Sequence, residues 1–221
     1  MKTCNKTPLA LSTFSSVDLE DEPFQVVIAK GVFDIVPGAP LALASTQEVI
    51  ALDEAVPFKI GTDILCQATA YAPGGVPVPS FRVGWAVGAS TRHHTVTGPR
   101  ARVYTPLLGW SLSPIVPVRR APLGDALARE GEGYRYLRGD EEVILENLHP
   151  EYPRLTFRLP NLLVATALVD RVGFRYGSPL RLDTLSIDVE RMRAVLVWRA
   201  SPPLYKDGVA RVDLAMQRRA S

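Results

Sequence analysis

Proline recurs along this chain from Pro8 to Pro203, 19 times in 221 residues, and that spacing limits the fold more than any other feature. Each ring removes a backbone N–H and clashes with the preceding helical turn, which disfavours long helices. The segments between the prolines carry the two-residue period of strands instead. Phe81, Val83, Trp85 and Val87 alternate with Arg82, Gly84, Ala86 and Gly88. Upstream, Ile64, Cys66, Ala68 and Ala70 alternate with Asp63, Gln67 and Thr69, and only Leu65 breaks the polar face. Pro73-Gly74-Gly75 stands between the two runs, where the chain has to reverse. Glycine accepts φ > 0 and proline fixes its own φ, so the pattern predicts a hairpin. The loop lacks the Lys and Ser/Thr of a phosphate-binding loop.

Other segments read the same way. Phe24–Ile35 is β-branched and nearly apolar on both faces; Leu41–Ala44, His93–Val96, Ala101–Tyr104 and Ile115–Arg119 are shorter strands. Glu142–Leu145, Leu155–Leu159 and Leu162–Val169 follow. Leu182–Ala200 predicts a second hairpin turning at Glu190–Arg193, and Val209–Met216 a last strand. One short helical excursion is expected around residues 121–131, where Asp125–Arg129 suits a turn or two before Gly131 and Gly133 stop it. The expected fold is therefore all-β, mainly antiparallel, and sandwich- or barrel-like. Residues 1–22 read as a flexible lead-in ending in Asp18, Glu20, Asp21 and Glu22, residues 23–217 as a single β-rich domain, and residues 218–221 as a tail.

Charge and cysteine content exclude several classes. The net charge of +2 lacks the basic excess of a nucleic-acid-binding surface, so no nucleic acid is expected as partner. Its distribution is uneven: residues 1–80 hold four lysines against nine carboxylates, and the first arginine is Arg82. Cys4 and Cys66 make no disulfide framework. The N-terminal apolar run is broken by Pro8 and Ser12, and Leu162–Val169 falls short of the about 20 residues a membrane helix needs. A soluble, cytoplasmic chain with no membrane insertion is expected.

The same residues point away from catalysis. His93 and His94 are adjacent, so on a strand they face opposite sides, and His149 is remote in sequence. With no C-x-x-C or H-E-x-x-H spacing, no metal site, cofactor site or catalytic set is expected. Cys66 has no glycine elbow or helix N-terminus to activate it and reads as a small buried residue; a hydrolase using Cys66 or a serine with one histidine ranks last. The Gly131-Glu132-Gly133 pattern has no third glycine and no strong strand before it. Trp85 and Trp198 lie in strand patterns, as core residues do, whereas Trp110, with Tyr104 nearby, is a candidate exposed binding aromatic. On these residues alone, a β-sandwich binding a small ligand such as a glycan is one reading.

Pro57–Gly88 carries P-F-K-x-x-T-D and A-Y-A-P-G-G-x-P-V, Leu148–Pro160 reads LHPEYPRLTFRLP, and Leu180–Ala200 carries L-D-T-L-x-I-D followed by V-x-V-W-R. These three segments, in this order, resemble a bacterial domain-of-unknown-function family encoded beside type VI secretion spike and effector genes. The resemblance spans roughly residues 24–200. The chain departs from the family pattern at Gly98–Arg102, which lacks an Asp and a Trp, and at Val116–Gly124, and so resembles a compact or divergent member. What the resemblance implies is a non-enzymatic, cytoplasmic adaptor or chaperone whose partner is a secretion effector, a spike or its PAAR-type tip. The motif residues Tyr71, Pro73, Gly74, Gly75, Asp183, Thr184, Trp198 and Arg199 would then be structural.

Overall fold

The structure is a computed structural model and describes residues 1–51, 54–107, 109–131, 135–204 and 208–219. Its first strands are β1 (Lys2–Asn5), β2 (Ala10–Val17), β3 (Pro23–Asp34), β4 (Ala42–Leu43), β5 (Asp63–Gln67) and β6 (Thr69–Tyr71). Next come β7 (Ser80–Val87), β8 (Ser90–Thr97), β9 (Arg102–Thr105), β10 (Gly109–Leu112), β11 (Arg120–Pro122) and β12 (Glu142–Glu146). The last six are β13 (Arg154–Arg158), β14 (Leu162–Asp170), β15 (Arg175–Pro179), β16 (Arg181–Asp188), β17 (Arg193–Ala200) and β18 (Val209–Arg218).

Three sheets share one core. The largest runs β2, β3, β17, β16, β5 with β4 beside β3; a second runs β13, β12, β7, β8; a third runs β1, β18, β14, β15. Two-stranded ribbons join β6 to β11 and β9 to β10. Pairing is antiparallel except for β1 with β18 and β5 with β16. The fold is all-β and sandwich-like, and no closed barrel forms.

Strand β3 reads apolar on both faces because both are covered. Val27, Ala29 and Phe33 enter the main core, while Val26 and Ile28 pack with Val197 in a smaller cluster on the other side. Gly31 on the same strand is closely approached: a Cβ there would stand 2.7 Å from the Leu9 side chain and 2.8 Å from the Phe33 ring, so one of them would have to shift. In the second sheet Phe81, Val83, Trp85 and Val87 face Val143, Leu145, Leu155 and Phe157 across neighbouring strands. The Trp85 indole donates to the Leu127 carbonyl at 2.8 Å, which ties a 3₁₀ turn, Gly124–Leu127, to the sheet.

Several expectations change. The Pro73–Gly75 reversal forms as a 3₁₀ turn with φ of +67° at both glycines, but it closes no hairpin. The upstream run splits into β5, which pairs with β16, and β6, which pairs with β11, whereas β7 pairs with β8 and β12. Alternation tells which face is buried and says nothing of which strand lies alongside. The expected lead-in is also corrected: β1 and β2 dock on β18 and β3, and Leu9 between them is buried. Strand β2 is an edge strand with both faces half-exposed, so its polar residues resembled a solvated segment. Only the acidic group remains a turn, with the Asp18 carboxylate accepting the N–H groups of Glu20 and Glu22. Of the expected tail, Arg218 belongs to β18 and the Arg219 N–H donates to the Asn161 carbonyl, while residues 220–221 lie outside the described residues.

The helical excursion is the single 3₁₀ turn Gly124–Leu127, shorter than Asp125–Arg129 suggested. Segment Ile115–Arg119 contributes only a bridge from Val118 to Val78, because Pro114 and Pro117 remove ladder donors. The Leu182–Ala200 hairpin forms as β16 and β17. Among the described residues no helix is long and apolar enough to cross a membrane.

Replacing Trp85 with Ala removes a fully buried indole and strands the Leu127 carbonyl. Urea unfolding is expected to show a loss of about 3–5 kcal/mol, with the lowered midpoint as readout.

Candidate functional site

The motif segments meet around one buried ion pair. The register of β16 against β17 slips so that Leu182 faces Trp198 and Thr184 faces Val197, leaving Asp183 as the extra residue of a β-bulge. Bulging turns its carboxylate toward Arg199, whose Nε donates to Oδ2 at 2.5 Å with side-chain exposures of only 4% and 2%. Arg199 Nη1 also donates to the carbonyls of Glu54 and Val56. Thr184 Oγ1 donates to the other Asp183 oxygen at 3.0 Å and accepts from Lys59 Nζ at 2.8 Å.

Lys59 in turn reaches Asp63 Oδ2 at 2.5 Å, and Asp63 Oδ1 accepts the Gly131 N–H at 2.7 Å. Thr62 Oγ1 donates to the Leu182 carbonyl at 2.5 Å and accepts the Leu137 N–H at 2.8 Å. Burial pushes the Asp183 carboxyl above its ordinary range, while Arg199 and then Lys59 pull it back. Every charged group here is committed to a partner, so the arrangement acts as a clamp that holds residues 54–63 against β16 and β17.

Beside the clamp opens a cleft of about 510 Å³ lined in part by Phe58, Lys59, Tyr136 and Arg181. The Arg181 guanidinium lies over the Tyr136 ring at 4.9 Å, and the Tyr136 hydroxyl donates to the Lys59 carbonyl. Sequence reasoning does not single out Lys59, Tyr136 or Arg181. Lys59 is legible as the lysine of P-F-K-x-x-T-D; Tyr136 carries no signal, because only folding sets it over that lysine's backbone.

The expected motif residues fall into two places. Asp183, Thr184 and Arg199 form the clamp, and Trp198 is buried with its ring edge-on to Phe33 at 6.3 Å. Tyr71, Pro73, Gly74 and Gly75 line a separate groove of about 530 Å³ with Arg119 and His149. Nothing stands within 4 Å of where a Cβ at Gly74 or Gly75 would lie, so these glycines serve the positive φ and not a close approach. His149 Nδ1 accepts the N–H groups of Glu151 and Tyr152, which closes a local turn.

Tyr104 and Trp110 occupy a third place. They are directly opposed on β9 and β10, with ring centroids 5.4 Å apart and exposures of 58% and 69%. Leu107 at the turn is 95% exposed, and Val103 and Leu112 are exposed as well. Among the described residues the two strands pair only with each other, so the hairpin presents these side chains outside the three sheets.

The nucleophile reading loses its support at Cys66, which is buried on β5; burial pushes its thiol up to about 12. A thiol so raised is protonated at neutral pH and is a poor nucleophile. His93 and His94 take opposite faces of β8, paired with Gly84 and Val83. Among the described residues no group of three or more His, Cys, Asp and Glu is placed to hold a metal ion. The Gly131-Glu132-Gly133 pattern lies partly outside the described residues.

Comparison with known families finds a match. The family model described as an uncharacterized protein conserved in bacteria (DUF2169) matches residues 20–133 and 127–199. No curated protein and no solved structure matches the chain.

Substituting Asp183 with Ala leaves Arg199 buried and uncompensated. Chemical denaturation is expected to register a loss of about 3–5 kcal/mol. A thiol-reactive dye applied to the native protein is expected to label Cys4 rapidly and to leave Cys66 untouched until denaturant is added.

Proposed function

From a chain that belongs to the bacterial DUF2169 family, we propose a non-enzymatic, cytoplasmic adaptor that binds a secretion effector, a spike protein or a PAAR-type tip for loading. The observation that carries this reading is the β9–β10 hairpin. Two paired strands bury too little apolar surface to be stable alone, yet this ribbon exposes Val103, Tyr104, Leu107, Trp110 and Leu112. Tyr104, Trp110 and Leu112 share one face of the ribbon; exposed apolar side chains grouped in this way mark docking surfaces, and tryptophan and tyrosine are the residues that most often dominate binding energy. The resemblance of the motif segments to proteins encoded beside type VI secretion genes supplies the class of partner. The clamp supports the reading from the other side, since its charged groups are all engaged in holding the fold.

A second reading keeps the same two rings. Tyr104 and Trp110 lie close and tilted, 59° between their planes, and such a pair can also receive a sugar face.

Coexpression with the spike, tip and effector proteins of the same locus, followed by size-exclusion chromatography, separates the two. A stable complex is expected, weakened about thirtyfold by Trp110→Ser, as the loss of a 2 kcal/mol hot spot implies. Elution of the chain alone, together with saturable quenching of Trp110 fluorescence by sugars, overturns the adaptor in favour of the glycan module.

A further inference from the structure

Strand β8 closes the sheet β13, β12, β7, β8, and among the described residues no strand pairs with its far side. Its register against β7 shows which of its backbone groups are free. Val87 and Ser90 flank the two-residue turn, and beyond the other end the Gly98 N–H donates to the Pro79 carbonyl at 2.9 Å. Antiparallel ladders alternate, so Ser90, Arg92, His94 and Val96 bond to β7, while the N–H and C=O groups of Thr91, His93, Thr95 and Thr97 point away from the sheet. The strand carries none of the lysine, proline or bulge by which exposed edges are usually protected.

A second feature adjoins the same edge. A cavity of about 540 Å³ opens beside Ser90–Arg92, and among the described residues Arg92, Arg129, Arg135 and Arg138 line it against one carboxylate, Glu141. That carboxylate is committed, with Oε1 accepting the Arg138 N–H at 2.6 Å and Oε2 the Gly139 N–H at 2.8 Å. Among the described residues Arg92, Arg129 and Arg135 form no ion pair, and Arg138 reaches Asp140 only at 4.0 Å. Four guanidinium groups around one space, with a single acid already engaged, call for an anionic ligand. The adjacent open ladder calls for an extended main chain.

We propose that β8 and the arginine-lined cavity together bind an extended acidic segment of a partner polypeptide, which adds as a strand along the edge and sets its carboxylates against the arginines. In an added strand alternate side chains fall on one face, so every second residue is placed to meet Arg92 and the cavity. A nucleic acid fits less well, because Arg181 already covers one face of Tyr136, which among the described residues is the one aromatic ring lining the cavity. The inference does not depend on what the β9–β10 hairpin binds, since no residue is shared.

Fluorescence polarisation of the full chain with a labelled peptide alternating Glu and Thr tests it. Saturable binding is expected, weakening as salt is raised, with the peptide alternating Gln and Thr binding about tenfold less tightly or worse. Thr95→Pro removes only an outward N–H and is expected to abolish binding with an unchanged melting temperature. The surface reversal Arg92→Glu with Arg135→Glu is expected to abolish it independently of any effect of proline on folding. Equal binding of the Gln peptide, no binding of either peptide, or displacement by inorganic phosphate or an oligothymidine with Thr95→Pro as competent as the parent overturns the proposal.

Discussion

Arg199 holds together segments that are far apart in the chain. Its Nε meets Asp183 on the neighbouring strand, and its Nη1 reaches back to carbonyls at residues 54 and 56. A buried ion pair of this kind contributes little net stability, because removing two charges from water costs about what their attraction returns. Its effect is on register. Asp183 meets Arg199 only with one extra residue in β16, and that bulge shifts the pairing with β17 by one at Leu182. A one-residue slip would send the apolar face of β16 into solvent, so the pair also secures the burial of Leu185 and Ile187. Lys59, Thr62 and Asp63 extend the same network to β5 and to the segment near Gly131 and Leu137.

Away from the clamp, most of the interior is apolar, with Gln25, Lys30, Thr166 and Asp170 as buried polar exceptions. Phe33, Trp85, Phe157 and Leu168, from all three sheets, belong to one continuous core. What the core leaves outside is of two kinds: a ribbon, β9–β10, rich in apolar side chains, and a sheet edge, β8, beside arginines. Apolar contact supplies affinity and charge supplies orientation and rate, so two such surfaces on one chain fit the proposed adaptor.

The excess of positive charge after residue 81 is legible in the order of residues, but its placement in space is not. Arg92 comes from an edge strand, Arg129 from the segment after a 3₁₀ turn, and Arg135 and Arg138 from the approach to β12. They share a cavity because Ile64 on β5 bridges to Arg129 and the Thr62 N–H donates to the Arg135 carbonyl. In the same way, the L-D-T-L and V-W-R segments are legible as a hairpin, while the bulge that makes their Asp and Arg partners is not, since side-chain alternation carries no mark of an extra residue.

Sequence alone determined the class of this protein. Proline spacing disfavoured long helices, alternation identified most of the strands, and the apolar face of each strand was correct wherever both neighbours bury it. Those are local properties, set by φ, by pleat and by the cost of exposing apolar surface. Tertiary structure decided everything that depends on which strands meet. The Pro73–Gly75 turn passes the chain between sheets instead of closing a hairpin, polar β2 docks on β3, and Lys59 finds Thr184 across 125 positions. Pairing is a competition among all edges for hydrogen bonds and shared core, and a single strand's residues record only its own side of it.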